Sequence, residues 1–154
     1  MTKFLIISAF AGVLALAACG GNASSTDASK NAGAKPDPTT YDPNRGEGKY
    51  TQVDLGDGVD KAMAASGEKI AGTKCLSCHK LSDERLVGPG WKGVTQRRTP
   101  VWLMNFITNP EPMLDKDPEL QAQLEICLVR MPNQNLNDDD ARHVLEFMRK
   151  VDSQ

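Results

Sequence analysis

Residues 75–79 read Cys-Leu-Ser-Cys-His. Two thiols and an imidazole this close together admit three chemistries. The thiols could cycle as a redox disulfide. They could join a metal site with ligands from elsewhere. Or they could anchor a haem covalently. The elements around the motif have to choose between these.

The chain has 154 residues and a net charge of −2. That length fits one small domain with extensions, and nothing in the charge suggests bulk nucleic-acid binding. Lys3 opens a short positive start, and an apolar run follows from Phe4 to Ala18. The run is too short to span a bilayer as a mature helix. It ends in Leu16-Ala17-Ala18-Cys19, which resembles a bacterial lipobox. Such a signal is cut before the cysteine, whose thiol and new amine then carry lipid. The alternative is an ordinary secretory peptide that ends near a cysteine. Acyl chains contribute about 0.8 kcal/mol per buried CH₂, so several give firm anchoring. Gly20, where an Asp is absent, points to the outer membrane.

The reading is therefore a signal peptide at 1–18, a lipidated Cys19 with a flexible tether at 19–52, and a folded domain at 53–154. The tether is Gly, Ser, Asn, Asp, Pro and Lys with almost no apolar residue. It cannot bury enough surface to fold. Its reach is roughly 30 Å.

In the folded part, Val59, Met63, Gly67, Ile70 and Ala71 recur at helical spacing just before the motif. Gly67 costs such a helix about 1 kcal/mol against Ala, and close approach of another helix would explain it. Thr99-Pro100 and Asp117-Pro118 are helix starts, and Pro110 bounds the first of these helices. Asn137 caps a last helix whose first turn holds three Asp, and whose stripe is Val144, Leu145, Phe147, Met148 and Val151. No convincing strand run is present. An all-α domain with so few aromatic residues has a thin core and gains from a large apolar body at its centre.

These elements decide among the three chemistries. A thioredoxin-like pair needs a strand before the motif and a βαβ setting; here a helix precedes it. A zinc site of Cys75, Cys78, Cys127 and His143 matches no common spacing and leaves His79 unexplained. Cys-x-x-Cys-His is the signature of c-type haem attachment. Two thioethers would join Cys75 and Cys78 to the haem vinyl groups, and His79 would follow as the proximal ligand. Export fits, because this attachment occurs outside the cytoplasm.

Residues 59–151 resemble a class I cytochrome c with one haem. The resemblance rests on "GEKIAGTKCLSCHK", on "GPGW", and on "MPNQNL" followed by a C-terminal helix. It implies an all-α fold of short helices wrapped around one covalently bound haem. It implies that the Pro89 carbonyl accepts from His79, fixing the imidazole tautomer. It also implies that Gly67 lets Phe147 of the last helix approach. Ala71 departs from the family, where many members carry an aromatic residue, which affects the tightness of this crossing.

The candidate sixth ligands are Met104, Met113, Met131 and His143. Met104 packs most simply in a helix, and His143 is most simply an exposed helix residue. Met131 is the expected ligand: it lies in a loop, Pro132 stiffens that loop, and the last helix follows. Met113 and His143 remain the alternatives. Trp91 and Trp102 are expected to wall the haem, with core filling as the other reading. Arg97 and Arg98 either neutralise haem propionates or are solvated. Asn133 and Gln134 either bond near the ligand or form a plain turn. Cys127 reads as a small buried hydrophobe.

A His/Met-ligated haem implies a membrane-tethered periplasmic electron carrier rather than an enzyme. Its donor would be a quinol-oxidising complex or another cytochrome, and its acceptor a terminal reductase or oxidase. The overall pattern also resembles small lipoprotein cytochromes, some linked to nitrous oxide respiration, which adds nitrous oxide reductase to the acceptors. The competing expectations are a haem enzyme or a peroxide- or gas-binding protein with an open sixth site, and a lipoprotein in which haem is only a structural staple.

Overall fold

A computed structural model describes residues 41–154. The expected signal peptide, Cys19 and the tether as far as residue 40 lie outside the described residues. Six helices follow in order: α1 (Lys61–Lys74), α2 (Val94–Arg97), α3 (Pro100–Thr108), α4 (Glu111–Leu114), α5 (Pro118–Cys127) and α6 (Asp138–Asp152). Among the described residues the only β pairing is an isolated bridge between His79 and Arg85. The domain is all-α, as expected.

Local chemistry sets the helix starts. Asp60 accepts from the Ala62 and Met63 amides and opens α1. Thr99 accepts from the Trp102 amide, with Pro100 first in α3. Asp117 accepts from the Glu119 and Leu120 amides before Pro118. Asn137 accepts from the Asp140 amide, and Asp138, Asp139 and Asp140 fill the first turn of α6. Each such cap contributes about 1 kcal/mol.

The buried face of α1 is Ala64, Gly67 and Ala71. These small residues let α6 come close. A Cβ built on Gly67 would stand 2.0 Å from the His143 carbonyl oxygen and 2.9 Å from the Val144 nitrogen. The expected close approach is present, but its partner is the backbone of α6 at His143–Val144. Phe147, expected there, lies one turn further on and meets Trp91 edge-on, with ring centroids 6.3 Å apart. Ala71 is fully buried at this crossing, so the missing aromatic leaves no gap open to solvent.

The stripe of α6 is buried as expected, with Val151 half-buried. Inside it lies a residue the periodicity did not reveal, the fully buried Glu146. Its carboxylate pairs with Arg142 and with Arg149 at 2.6 Å, and it accepts from the Asp60 amide at 3.0 Å. The arginines also reach the Asp54 and Leu55 carbonyls. A buried carboxylate is tolerated only with such partners.

The expected domain start at residue 53 is corrected by the structure. Residues 41–52 lie against the folded unit as a strap. Tyr41 donates to Asp117 Oδ2 at 2.5 Å. Asn105, fully buried in α3, donates to the Arg45 and Tyr50 carbonyls and accepts from the Tyr50 amide. Gly46 passes so close to Met113 that a Cβ there would lie 2.3 Å from the methionine methyl carbon. Residues 41–52 therefore belong with the folded unit. Composition misled because the strap is held by backbone hydrogen bonds and glycine contacts, which carry no hydrophobic pattern.

Candidate functional site

The motif is positioned by the last turn of α1. The Cys75 amide closes the helix on the Ala71 carbonyl at 2.8 Å. The chain then tightens, and the Cys78 and His79 amides both donate to the Cys75 carbonyl, at 3.1 and 3.0 Å. This turn holds both thiols and the imidazole together.

The returning loop locks the imidazole. The Val87 and Gly88 amides donate to the Cys78 carbonyl, at 3.1 and 2.8 Å. Pro89 then presents its carbonyl 2.8 Å from His79 Nδ1. A carbonyl only accepts, so Nδ1 carries the proton and Nε2 keeps a lone pair for a metal. Gly88 is required by contact: a Cβ there would lie 2.4 Å from His79 Cε1. Trp91 leans on the ring, with centroids 5.8 Å apart. Burial lowers the His79 pKa and the Pro89 bond partly opposes this. The imidazole is thus kept neutral, the form that ligates. Burial pushes the Cys75 thiol up to about 11, against a weaker pull from Lys74.

The motif opens on a cleft of about 370 Å³. Cys75, Cys78, His79, Pro89, Trp91, Trp102 and Met131, the residues expected from sequence, all line it. The floor is apolar, with Leu103, Phe106, Ile107, Leu120 and Val144 among its residues. Lys74, Arg97, Arg98 and Arg130 also line it, and among the described residues no carboxylate does. An apolar body with an anionic edge fits these walls, and haem with its two carboxylates is such a body.

Of the alternative sulfur and nitrogen ligands, Met104, Met113 and His143 do not line the cleft. Met113 is fully buried beneath Gly46. Met148 of α6, which the sequence reading did not consider, does line it. Met131 is half-buried in the loop between α5 and α6. That loop is tied down by Lys74 Nζ on the Gln134 carbonyl at 2.9 Å, and by Arg130 on Glu111 and Asp115. Gln134 lines the cleft, whereas Asn133 caps a turn by accepting from the Asn135 amide.

Three expectations change. Arg98 is not solvated: it pairs with Glu119 at 2.6 Å, faces Asp117 at 3.7 Å and stacks 4.2 Å from the Trp102 ring centre. Arg97 is spent partly on backbone carbonyls, donating to Lys92 O at 2.5 Å. Cys127 is half-buried and lines the cleft rather than filling the core. No group of three or more His, Cys, Asp and Glu is gathered as a metal cluster among the described residues, so the zinc constellation is not assembled. The sequence reading missed the Tyr41–Trp102–Asp117 cluster, in which the Trp102 indole N–H reaches both Tyr41 and Asp117. Asp117 was legible only as a helix cap.

The family model for cytochrome c matches residues 64–152. Among solved structures, a cytochrome c from Rhodothermus marinus is 38% identical with a TM-score of 0.66, covering 69% of this chain and 90% of that one. An engineered cytochrome c from the same organism is 36% identical with a TM-score of 0.66, covering 70% and 92%. The engineered protein bound to a carbene intermediate is also 36% identical, with a TM-score of 0.63. No curated protein matches the sequence.

Proposed function

The chain belongs to the cytochrome c family, and on that premise we propose that it is a membrane-tethered carrier of single electrons with His79 and Met131 as its iron ligands. The family carries haem c covalently, and Cys75 and Cys78 occupy the positions for its two thioethers. Bound there, haem c supplies a one-electron ferrous–ferric couple. The observation that carries the reading is a single cleft lined by both thiols, by Met131 and by a His79 whose Nδ1 is already committed to Pro89.

The chain's own groups have distinct tasks. The Pro89 carbonyl orients His79 and raises its basicity as a ligand. Met131 offers a neutral thioether, which favours the ferrous state and raises the potential. With both positions taken, the site is closed to peroxide and gases. The Leu16–Cys19 lipobox and the Gly/Ser/Asn tether support an anchor at Cys19 on the periplasmic side, at the outer membrane. The partners are a quinol-oxidising complex or cytochrome as donor and a terminal reductase or oxidase as acceptor, nitrous oxide reductase among them.

Two measurements test this. The holoprotein is expected to titrate as a one-electron couple, and its ferrous form to bind carbon monoxide slowly or not at all. Rapid binding would favour the open-site enzyme instead. Expressed in a host that processes lipoproteins, Cys19→Ser is expected to lose its fatty acid and move to the soluble fraction. A variant that stays membrane-bound and acylated would overturn the tether.

A further inference from the structure

The cleft has four cationic side chains in its lining and no carboxylate among the described residues. Arg130 is held by exposed carboxylates, Glu111 and Asp115. Arg98 differs. Its side chain is 12% exposed, and the carboxylate facing it 3.7 Å away, Asp117, is 1% exposed. Trp102 joins the two: its indole N–H donates to Asp117 Oδ2 at 3.0 Å, the Arg98 guanidinium stacks on its ring, and that ring lines the cleft. Burial opposes ionisation of Asp117. Bonds from Tyr41, the Leu120 amide and Trp102, and the Arg98 charge, outweigh it and hold the carboxyl below its usual range. A buried charge pair is screened far less than an exposed one.

We propose that Arg98 and Asp117, both held on Trp102 and facing each other across 3.7 Å, form a fixed charge pair that sets the reduction potential of the haem. Arg98 is a largely buried cation of the cleft wall and favours the ferrous state. Asp117 is the counter-charge behind the wall and offsets it. Asp117 is thus a positioning residue, holding Trp102 and Arg98 while acting by its field. Glu119 also pairs with Arg98, but at 73% exposure its charge is screened by water. The inference rests on the haem occupying this cleft.

The test is a spectroelectrochemical titration of the holoprotein and its variants at low and high salt. Asp117→Asn keeps one oxygen to accept from the α5 amides and gives up the bond from Trp102 together with the charge, and is expected to raise the midpoint potential. Arg98→Gln is expected to lower it. Both shifts should persist at high salt, whereas Glu119→Gln should shift the potential less than either. Tyr41→Phe removes a hydrogen bond and no charge, so stability should fall with the potential held. Simple loosening admits water, which favours ferric iron, and would lower the potential in both charge variants. Shifts of the same sign, or no shift in either, overturn the proposal. If Asp117→Asn does not accumulate as holoprotein, Arg98→Gln is compared with the charge-keeping Arg98→Lys: a potential lowered in Arg98→Gln alone supports the proposal, and one lowered equally in both, or unchanged or raised in Arg98→Gln, overturns it. Haem that is released by acid–acetone refutes the thioether reading itself; a covalently loaded protein with an insensitive potential refutes only the charge pair.

Discussion

Gly67 of α1 rests directly on the His143 carbonyl of α6, so that a Cβ at Gly67 would stand 2.0 Å from that oxygen. The obstacle is backbone, which cannot rotate away as a side chain would. Gly67→Ala gains about 1 kcal/mol of helix propensity. It costs roughly 1–3 kcal/mol in forced separation of the helices. Net destabilisation is expected, read as a lower urea midpoint at unchanged slope. A more stable Gly67→Ala would show that the helices separate freely.

Gly88 bears on the site itself. Its added Cβ would lie 2.4 Å from His79 Cε1, so the imidazole must swing off the Pro89 carbonyl. Gly88→Ala is expected to give less holoprotein, and what forms should show a shifted potential and faster carbon monoxide binding. An unchanged spectrum and yield would mean that the loop, not the ring, moves.

Met131→Ala is expected to abolish the weak near-infrared ferric band of a Met–iron bond, lower the potential and open the site to imidazole, cyanide and carbon monoxide. Met113→Leu should leave all of these nearly unchanged, because Met113 is buried away from the cleft. Met148→Leu is the sharper control, since Met148 lines the cleft from α6. If Met148→Leu loses the band and Met131→Ala keeps it, the ligand assignment is wrong.

The strap makes a stability prediction. A chain beginning at residue 53 removes the three hydrogen bonds that satisfy the buried Asn105 and the Tyr41 bond to Asp117. At about 1 kcal/mol per bond, a loss of at least about 3 kcal/mol is expected. Tyr41→Phe alone should cost about 1–2 kcal/mol. Equal urea stability of the shortened and full chains would return residues 41–52 to the tether.

The helix starts were readable because a cap is a contract between residues two or three apart: Asp117 with Leu120, Asn137 with Asp140. The haem motif was readable for the same reason, since a turn of hydrogen bonds on one carbonyl, that of Cys75, holds it. The GPGW loop needed the family resemblance, because nothing local says that a carbonyl ten residues away reaches His79. Glu146 was invisible to periodicity, which counts apolar residues and has no place for a carboxylate neutralised by Arg142 and Arg149.

What the sequence determined alone was the chemistry on offer: two thiols, an imidazole and a loop methionine, on an all-α framework whose helix starts are written in short polar signals. Tertiary structure decided which groups share the cleft. It brought in Met131 and Cys127 and left out Met113 and His143. It also turned a segment with a linker's composition into a strap, by pairing Tyr41 with Asp117 across 76 residues. The reason is range. Caps and turns act between near neighbours in the chain. The cleft and the charges around it exist only where packing brings distant segments together, and no local spacing records which segments those will be.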